Sequence, residues 1–268
     1  MLNMRLLPLL CFGLALPAFA QFNGMSVSGN DSSATITINM SPIAVTVPCV
    51  TGAPYSGTPS FRSVQTLANG THISRPASER ETTRRDSAGR VRTERELFPP
   101  RPGAPQLKSF VLVKVQDPVA GYAYVLDSVN QVAHRTAVKS QRAGPPFSPT
   151  PRVGTHTSPD GVVSVTESLG EQVMFGVAVV GTKTTTTYPA GSRLGNDRPV
   201  TSVNELWWSP QLGQAVMQTN TSPEGNVSTM SMSDLSTAES DAALFQIPAG
   251  HNIVDETGSF TFTVALTK

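Results

Sequence analysis

Arg80-Glu81-Thr82-Thr83-Arg84-Arg85-Asp86-Ser87-Ala88-Gly89-Arg90-Val91-Arg92-Thr93-Glu94-Arg95-Glu96 is the stretch on which the fold of this chain turns. Asp86 is able to hydrogen-bond its own turn. Small residues suit the next positions, and Gly89 takes the left-handed conformation that closes a type I turn with a bulge. Closing Asp86 against Arg90 sets Arg80 opposite Glu96 and Glu81 opposite Arg95. Such opposite-charge pairs contribute about 0.2 to 1 kcal/mol each, enough to favour this register over a one-residue slip. The same register sets Arg84 opposite Arg92, which predicts an anion or a carboxylate from elsewhere beside them.

The same turn code recurs at Asp127-Ser128-Val129-Asn130, Ser158-Pro159-Asp160-Gly161 and Ser222-Pro223-Glu224-Gly225. Asn69-Gly70 adds a hairpin signal. Between these turns lie period-two or β-branched runs at 110–115, 122–126, 132–135, 162–166, 203–208, 214–218 and 227–231. Connections this short permit only antiparallel neighbours. The stretch 173–188 is too long for one straight strand, and Gly176 and Gly181 are read in it as bulges or bends of a strongly curved sheet. Only 234–244 has helix-compatible character, enough for one short turn. The fold class is therefore mainly β, a curved antiparallel sheet with little helix.

Met1 to Arg5 carry one positive charge, 6–16 is an apolar run too short to span a bilayer, and Ala18-Phe19-Ala20 is a small-x-small site. Residues 1–20 thus read as a secretory signal peptide cleaved after Ala20, which makes the product exported, periplasmic or extracellular. Cys11 sits in the apolar run, Cys49 has no partner in the mature chain, and stability must come from apolar burial. Residues 21–60 form a Ser/Thr/Pro-rich N-terminal arm with short strands at 34–40 and 43–47. Residues 61–268 form one antiparallel β domain, with Pro-rich loops at 97–106 and 139–160. Lys and Arg number 20 against 19 Asp and Glu, so no basic field attracts nucleic acid. No later apolar run is long enough for an integral membrane protein.

Several segments together resemble a family of exported bacterial proteins of uncharacterised function. They are Leu67-Ala68-Asn69-Gly70, Arg85-Asp86-Ser87-Ala88-Gly89-Arg90, Asp117-Pro118-Val119-Ala120-Gly121, Glu167-Ser168-Leu169-Gly170, Gly195-Asn196-Asp197-Arg198-Pro199, Glu205-Leu206-Trp207-Trp208-Ser209-Pro210 and Leu244-Phe245-Gln246-Ile247-Pro248. More remotely, the Glu-x-Trp-Trp-Ser-Pro strand and the Leu-Phe-x-x-Pro ending are similar to the C-terminal half of the outer-membrane lipoprotein carrier (LolA-like) fold. That resemblance implies an open half-barrel of meander hairpins around a hydrophobic cavity that holds acyl chains. Such carriers cover the cavity with helices; here the Pro-rich loops would have to do so.

No catalytic, cofactor or metal motif is present. The four histidines, His72, His134, His156 and His251, are scattered and read as solvated or hydrogen-bonded. Trp207 and Trp208 point to opposite faces of their strand, so one is core and the other meets solvent or a ligand. With Tyr122, Tyr124 and Phe175 they are the candidate ligand-binding residues. Asn196, Asp197, Arg198 and Glu205 are the polar candidates: Arg198 either clamps an anion or pairs with Glu205 in a structural turn. In the Arg-rich hairpin acidic residues are interleaved with the arginines and no aromatic is available for base stacking, which describes a solvated face. The expectation is a non-catalytic envelope protein without a cofactor. It binds a hydrophobic or lipid-like ligand, such as a lipid or lipoprotein acyl chain, in the concavity. The alternative is a structural or interaction module that docks an envelope protein on its sheet face or edge.

Overall fold

A computed structural model describes residues 21–30, 33–41, 46–47, 49–79, 81–97, 109–141, 143–146 and 152–267. The expected signal peptide, most of the 97–106 loop and Arg80 with its expected Glu96 partnership lie outside these residues. The strands in chain order are β1 (Gln21–Asn30), β2 (Ser33–Ser41), β3 (Thr46–Val47), β4 (Tyr55–Thr66), β5 (His72–Glu79), β6 (Thr82–Arg85), β7 (Val91–Leu97), β8 (Phe110–Asp117), β9 (Tyr122–Asp127) and β10 (Val132–Ala137). They continue with β11 (Lys139–Ser140), β12 (Gly154–Thr157), β13 (Val163–Met174), β14 (Val177–Tyr188), β15 (Val200–Ser209), β16 (Gln214–Thr221), β17 (Val227–Ser236), β18 (Asn252–Asp255) and β19 (Phe260–Thr267). Among the described residues the single helical element is a 3-10 turn at Ala242–Phe245, capped by the Asp241 carboxylate on the Ala243 N–H at 2.9 Å. No helix among them is long and apolar enough to cross a membrane.

Fourteen strands form one open sheet in the order β12-β13-β14-β15-β16-β17-β4-β6-β7-β8-β9-β10-β18, with β5 paired to β4 beside β6. Every ladder in it is antiparallel except β10 with β18. A smaller sheet, β1-β2-β19, packs over the β7–β9 region. In β2 the inward positions Ala34, Ile36, Ile38 and Met40 alternate with outward polar ones, as a half-buried strand requires. They lie opposite Leu266, Val264, Phe262 and Phe260 of β19. Together they close on Leu97, Phe110, Leu112 and Val125. Two short strands, β11 and β12, occur in the 139–160 stretch expected as a Pro-rich loop. β11 pairs with β3, and β12 extends the edge offered by the start of β13.

The decisive hairpin closes as its sequence predicts: Thr82 faces Glu94, Arg84 faces Arg92, and Gly89 has φ 86°. The carboxylate that the two arginines require comes from Glu94, whose oxygens accept from Arg84 at 2.8 Å and from Arg92 at 2.7 Å. Glu81, expected to serve Arg95, precedes β6 and accepts instead from Nζ of Lys114 at 3.0 Å, because that ammonium is buried on β8 and demands a counter-charge. Two turn readings are corrected. In 127–130 the left-handed residue is Gln131 (φ 55°), not Asn130, because Asp127 pairs with Val132 and the loop is one residue longer. Gly176 is no bend within a strand. With Phe175 (φ 51°) and its own φ of 81°, it forms a two-residue turn between Met174 and Val177. The irregularity of this ladder lies at Leu169 and Gly170 of β13, opposite Gly181.

Candidate functional site

Residues directly opposite one another in an antiparallel ladder share a face of the sheet. Pairings across seven strands therefore align Thr166, Thr184, Asn204, Asn220, Ser228, Ser63 and Arg75 in one row. Most of these residues line a hollow of about 550 Å³ that Thr186 and Ser202 join from a neighbouring row. The hollow reaches from β14 to β5, five ladders away, so the sheet is rolled onto this face. Its walls bond laterally: Thr166 and Thr184 hydroxyls lie 3.0 Å apart, Ser164 and Thr186 3.2 Å apart, and Asn204 donates its amide to Asn220. At the rim Asn226 accepts from the Thr66 N–H, and Glu224 accepts from the Ser222 hydroxyl. That hydroxyl holds the Glu224 carboxyl below its usual range.

Two residues further along each strand, the same face changes character. The next row runs Thr182, Leu206, Gln218, Met230 and Phe61, and the one beyond holds Val180, Trp208 and Ala215. At the end of the hairpin Val173 faces Ala178. The concave face thus gains aliphatic and aromatic groups toward the β13–β14 turn, set among Thr182, Gln218 and, opposite Val180, Glu171. The indole Nε1 of Trp208 is enclosed there without a hydrogen-bond partner among the described residues.

Trp207 takes the opposite face. It packs against the cluster of Val177, Val179, Leu212 and Val216, and its ring lies flat on Gly181, where a Cβ would come within 2.4 Å of it. Arg85 ties the β15–β16 turn to the body of the sheet, donating to Leu212 O at 2.6 Å and to Ala53 O at 2.8 Å. Burial lowers the affinity of this guanidinium for its proton, and burial pushes the neighbouring Tyr55 phenol up.

The other nominated residues do not meet at the hollow. Phe175 stands at the exposed tip of the β13–β14 turn. Tyr122 and Tyr124 lie on β9, 6.2 Å apart, with Arg135 above Tyr122 at 4.6 Å. Asp255 clamps Arg135 through both carboxylate oxygens, at 2.6 and 2.8 Å. Asn196 is a structural residue: its amide donates to Pro189 O and Arg198 O, both at 2.7 Å, while its carbonyl accepts from Ser192 at 2.6 Å. Asp197 and Arg198 are exposed. Glu205 lies opposite Lys183 on the face away from the hollow, and no ion pair joins it to Arg198 among the described residues. His134 is hydrogen-bonded, as expected, to Glu256 at 2.8 Å, and its ring stacks on those of Phe260 and Phe262. Among the described residues, no group of His, Cys, Asp and Glu is arranged to hold a metal ion. Sequence reasoning missed Thr184, Asn204, Asn220 and Ser63. Their only signal was polar alternation in strands that are polar on both faces.

No protein-family model and no curated protein matches the chain. Among solved structures, similarity is found to LprF from Mycobacterium bovis, at 10% identity and a TM-score of 0.29, covering 75% of this chain and 91% of that one. A putative outer membrane lipoprotein-sorting protein domain from Vibrio parahaemolyticus aligns at 10% identity and a TM-score of 0.18, covering 72% and 89%. A DUF1329 family protein from Desulfovibrio piger aligns at 10% identity and a TM-score of 0.18, covering 73% and 90%. The resemblance to the lipoprotein carrier fold is remote, and at these scores it says nothing about what this chain binds.

Proposed function

We propose that this chain is an exported, non-catalytic protein of the bacterial cell envelope that binds a lipid-like, amphiphilic ligand on the concave face of its half-barrel. One observation carries the reading: the face is wholly polar along the row from Thr184 to Ser63, and in the next two rows adds Leu206, Met230, Phe61, Val180 and Trp208 to Thr182 and Gln218. A purely apolar ligand leaves the hydroxyl row unmatched, and a purely polar one leaves the half-buried Leu206 and Trp208 unmatched. Native mass spectrometry of protein purified from its own envelope tests this. The expected result is a lipid adduct that survives desalting and is lost in Trp208→Glu. A clean apoprotein overturns the proposal.

A second reading has its own observation. β12 pairs only with Val163–Thr166, which leaves the outer edge of β13 from 167 to 174 without a neighbouring strand among the described residues. Such an edge is a template for an added strand from an envelope protein partner. A clean apoprotein that co-purifies with another chain favours this reading.

A further inference from the structure

The hairpin joining β13 to β14 carries no charged residue between Glu171 and Lys183. At its turn Phe175 and Gly176 both have positive φ, the type I′ geometry that favours Asn or Asp before Gly because the first position must be left-handed. An aromatic residue there is strained, and the strain is not offset by burial: Phe175 is 44% exposed and Val173 74% exposed. The hairpin is nevertheless anchored. Val177 and Val179 are buried against Leu212 and Val216, and Met174 packs on the same cluster. One side of the hairpin therefore grips the body of the protein, while the other holds Val173, Phe175 and Ala178 out to solvent. Val173 and Ala178 lie on the same face as Val180 and Trp208, so the exposed tip continues the face that carries the indole, with Glu171 opposite Val180.

We propose that this tip is a membrane-docking element that lays Phe175 and Val173 into the interfacial layer of a lipid bilayer and turns the Trp208 end of the concave face toward it. A bilayer fits better than a protein partner. From Gln172 to Thr182 the tip offers no charge to specify one, Glu171 standing behind it, and a patch of so few residues is far smaller than a stable protein interface, yet it suffices for reversible partitioning. The proposal rests on the lipid-binding reading for its purpose, and the two are separable by experiment.

Co-sedimentation of the purified protein with phosphatidylcholine vesicles, which carry no net charge, tests the docking. The wild-type protein is expected to sediment, and Phe175→Asp to lower the partition coefficient about tenfold or more. Phe175→Asn guards against a folding artefact. It creates the preferred Asn-Gly turn, so its melting temperature is expected to be equal or higher while binding falls. Val119→Asp, at an exposed apolar site on the β8–β9 turn, is expected to bind like the wild type. Wild-type protein that stays in the supernatant overturns the docking, as does Phe175→Asn that binds unchanged. A dimer in light scattering that Phe175→Asn dissolves overturns it too, assigning the tip to self-association. Vesicle binding by wild-type protein that carries no lipid adduct upholds the docking while the concave-face reading fails; the converse result separates them the other way.

Discussion

Gly181 and Trp207 show how one residue type makes room for another. The indole occupies the space where a Cβ would stand at position 181, so any side chain there must push a large, packed ring aside. Gly181→Ala is expected to cost about 1 to 3 kcal/mol, the usual range for overpacking. Pairing it with Trp207→Leu should recover most of the loss in urea melts. Equal losses in the single and double variants would show that the backbone, not the ring, is the constraint. Glu94 is a second case. Burial alone would raise its carboxyl, but hydrogen bonds from Arg92 and Arg84 outweigh burial, and the net shift is downward. A carboxyl depressed in the folded state adds stability above its unfolded value, and that stability is lost as pH falls through the lower folded value. Glu94→Gln is therefore expected to lose about 1 kcal/mol at neutral pH, a modest figure because the group is partly exposed. The deficit should begin to shrink once pH falls below the ordinary glutamate value and go on shrinking as the wild-type carboxylate takes up its proton; a deficit that stays constant down to acid pH would refute the assignment. The arginine pair that calls for this carboxylate is visible in the hairpin register. That it comes from Glu94 rather than from a distant segment is not, since the choice depends on rotamers.

The turns carry most of what the sequence reveals about the elements, and their errors share one cause. Asp86 to Gly89, Ser158 to Gly161 and Ser222 to Gly225 close as three-residue loops, with Gly as the left-handed residue. The loops after Asp117, Asp127 and Ser209 are one residue longer, and their left-handed residues are Gly121, Gln131 and Gly213. Both kinds begin with Asp or Ser, so the first residue does not distinguish them; the position of Gly does, and at Gln131 there is no Gly to read. Asp127 nevertheless fixes that turn, accepting from the Val129 and Asn130 N–H groups at 3.1 and 3.0 Å and from the Asn130 side chain at 2.6 Å. Gln131→Gly relieves the left-handed backbone without touching these bonds, and is expected to stabilise the fold by about 0.5 to 1 kcal/mol despite the added chain entropy. A lower melting temperature in Gln131→Gly would mean that the glutamine side chain contributes more than its backbone costs.

At the scale of the molecule, strand content and hairpin order follow from alternation and turn chemistry, but the rolled sheet and its hollow do not. The hollow exists because Thr184, Asn204, Asn220, Ser228 and Ser63 fall in register across five strands, and that depends on bulges such as the one between Trp207 and Trp208. Non-local closure is equally hidden: β19 completes a sheet with β1 and β2, and its Phe260, Phe262, Val264 and Leu266 fill the core over β7–β9. Phe262→Ala is expected to cost about 3 to 5 kcal/mol, a large share of the stability of an ordinary domain. How that loss spreads is the sharper question. Trp207 and Trp208 are the only two tryptophans, and both lie on β15 at the hollow end of the sheet rather than over β7–β9, so intrinsic tryptophan fluorescence reports on that end alone. The continuous ladder from β17 through β4, β6 and β7 to β8, with Arg85 bonded to Leu212 O, joins the two ends. Phe262→Ala should therefore lower the fluorescence midpoint as much as the far-UV circular dichroism midpoint, in one transition. If the circular dichroism midpoint falls while the tryptophan signal holds, the hollow folds without the β1-β2-β19 layer, and the long sheet is two cooperative units joined by a ladder.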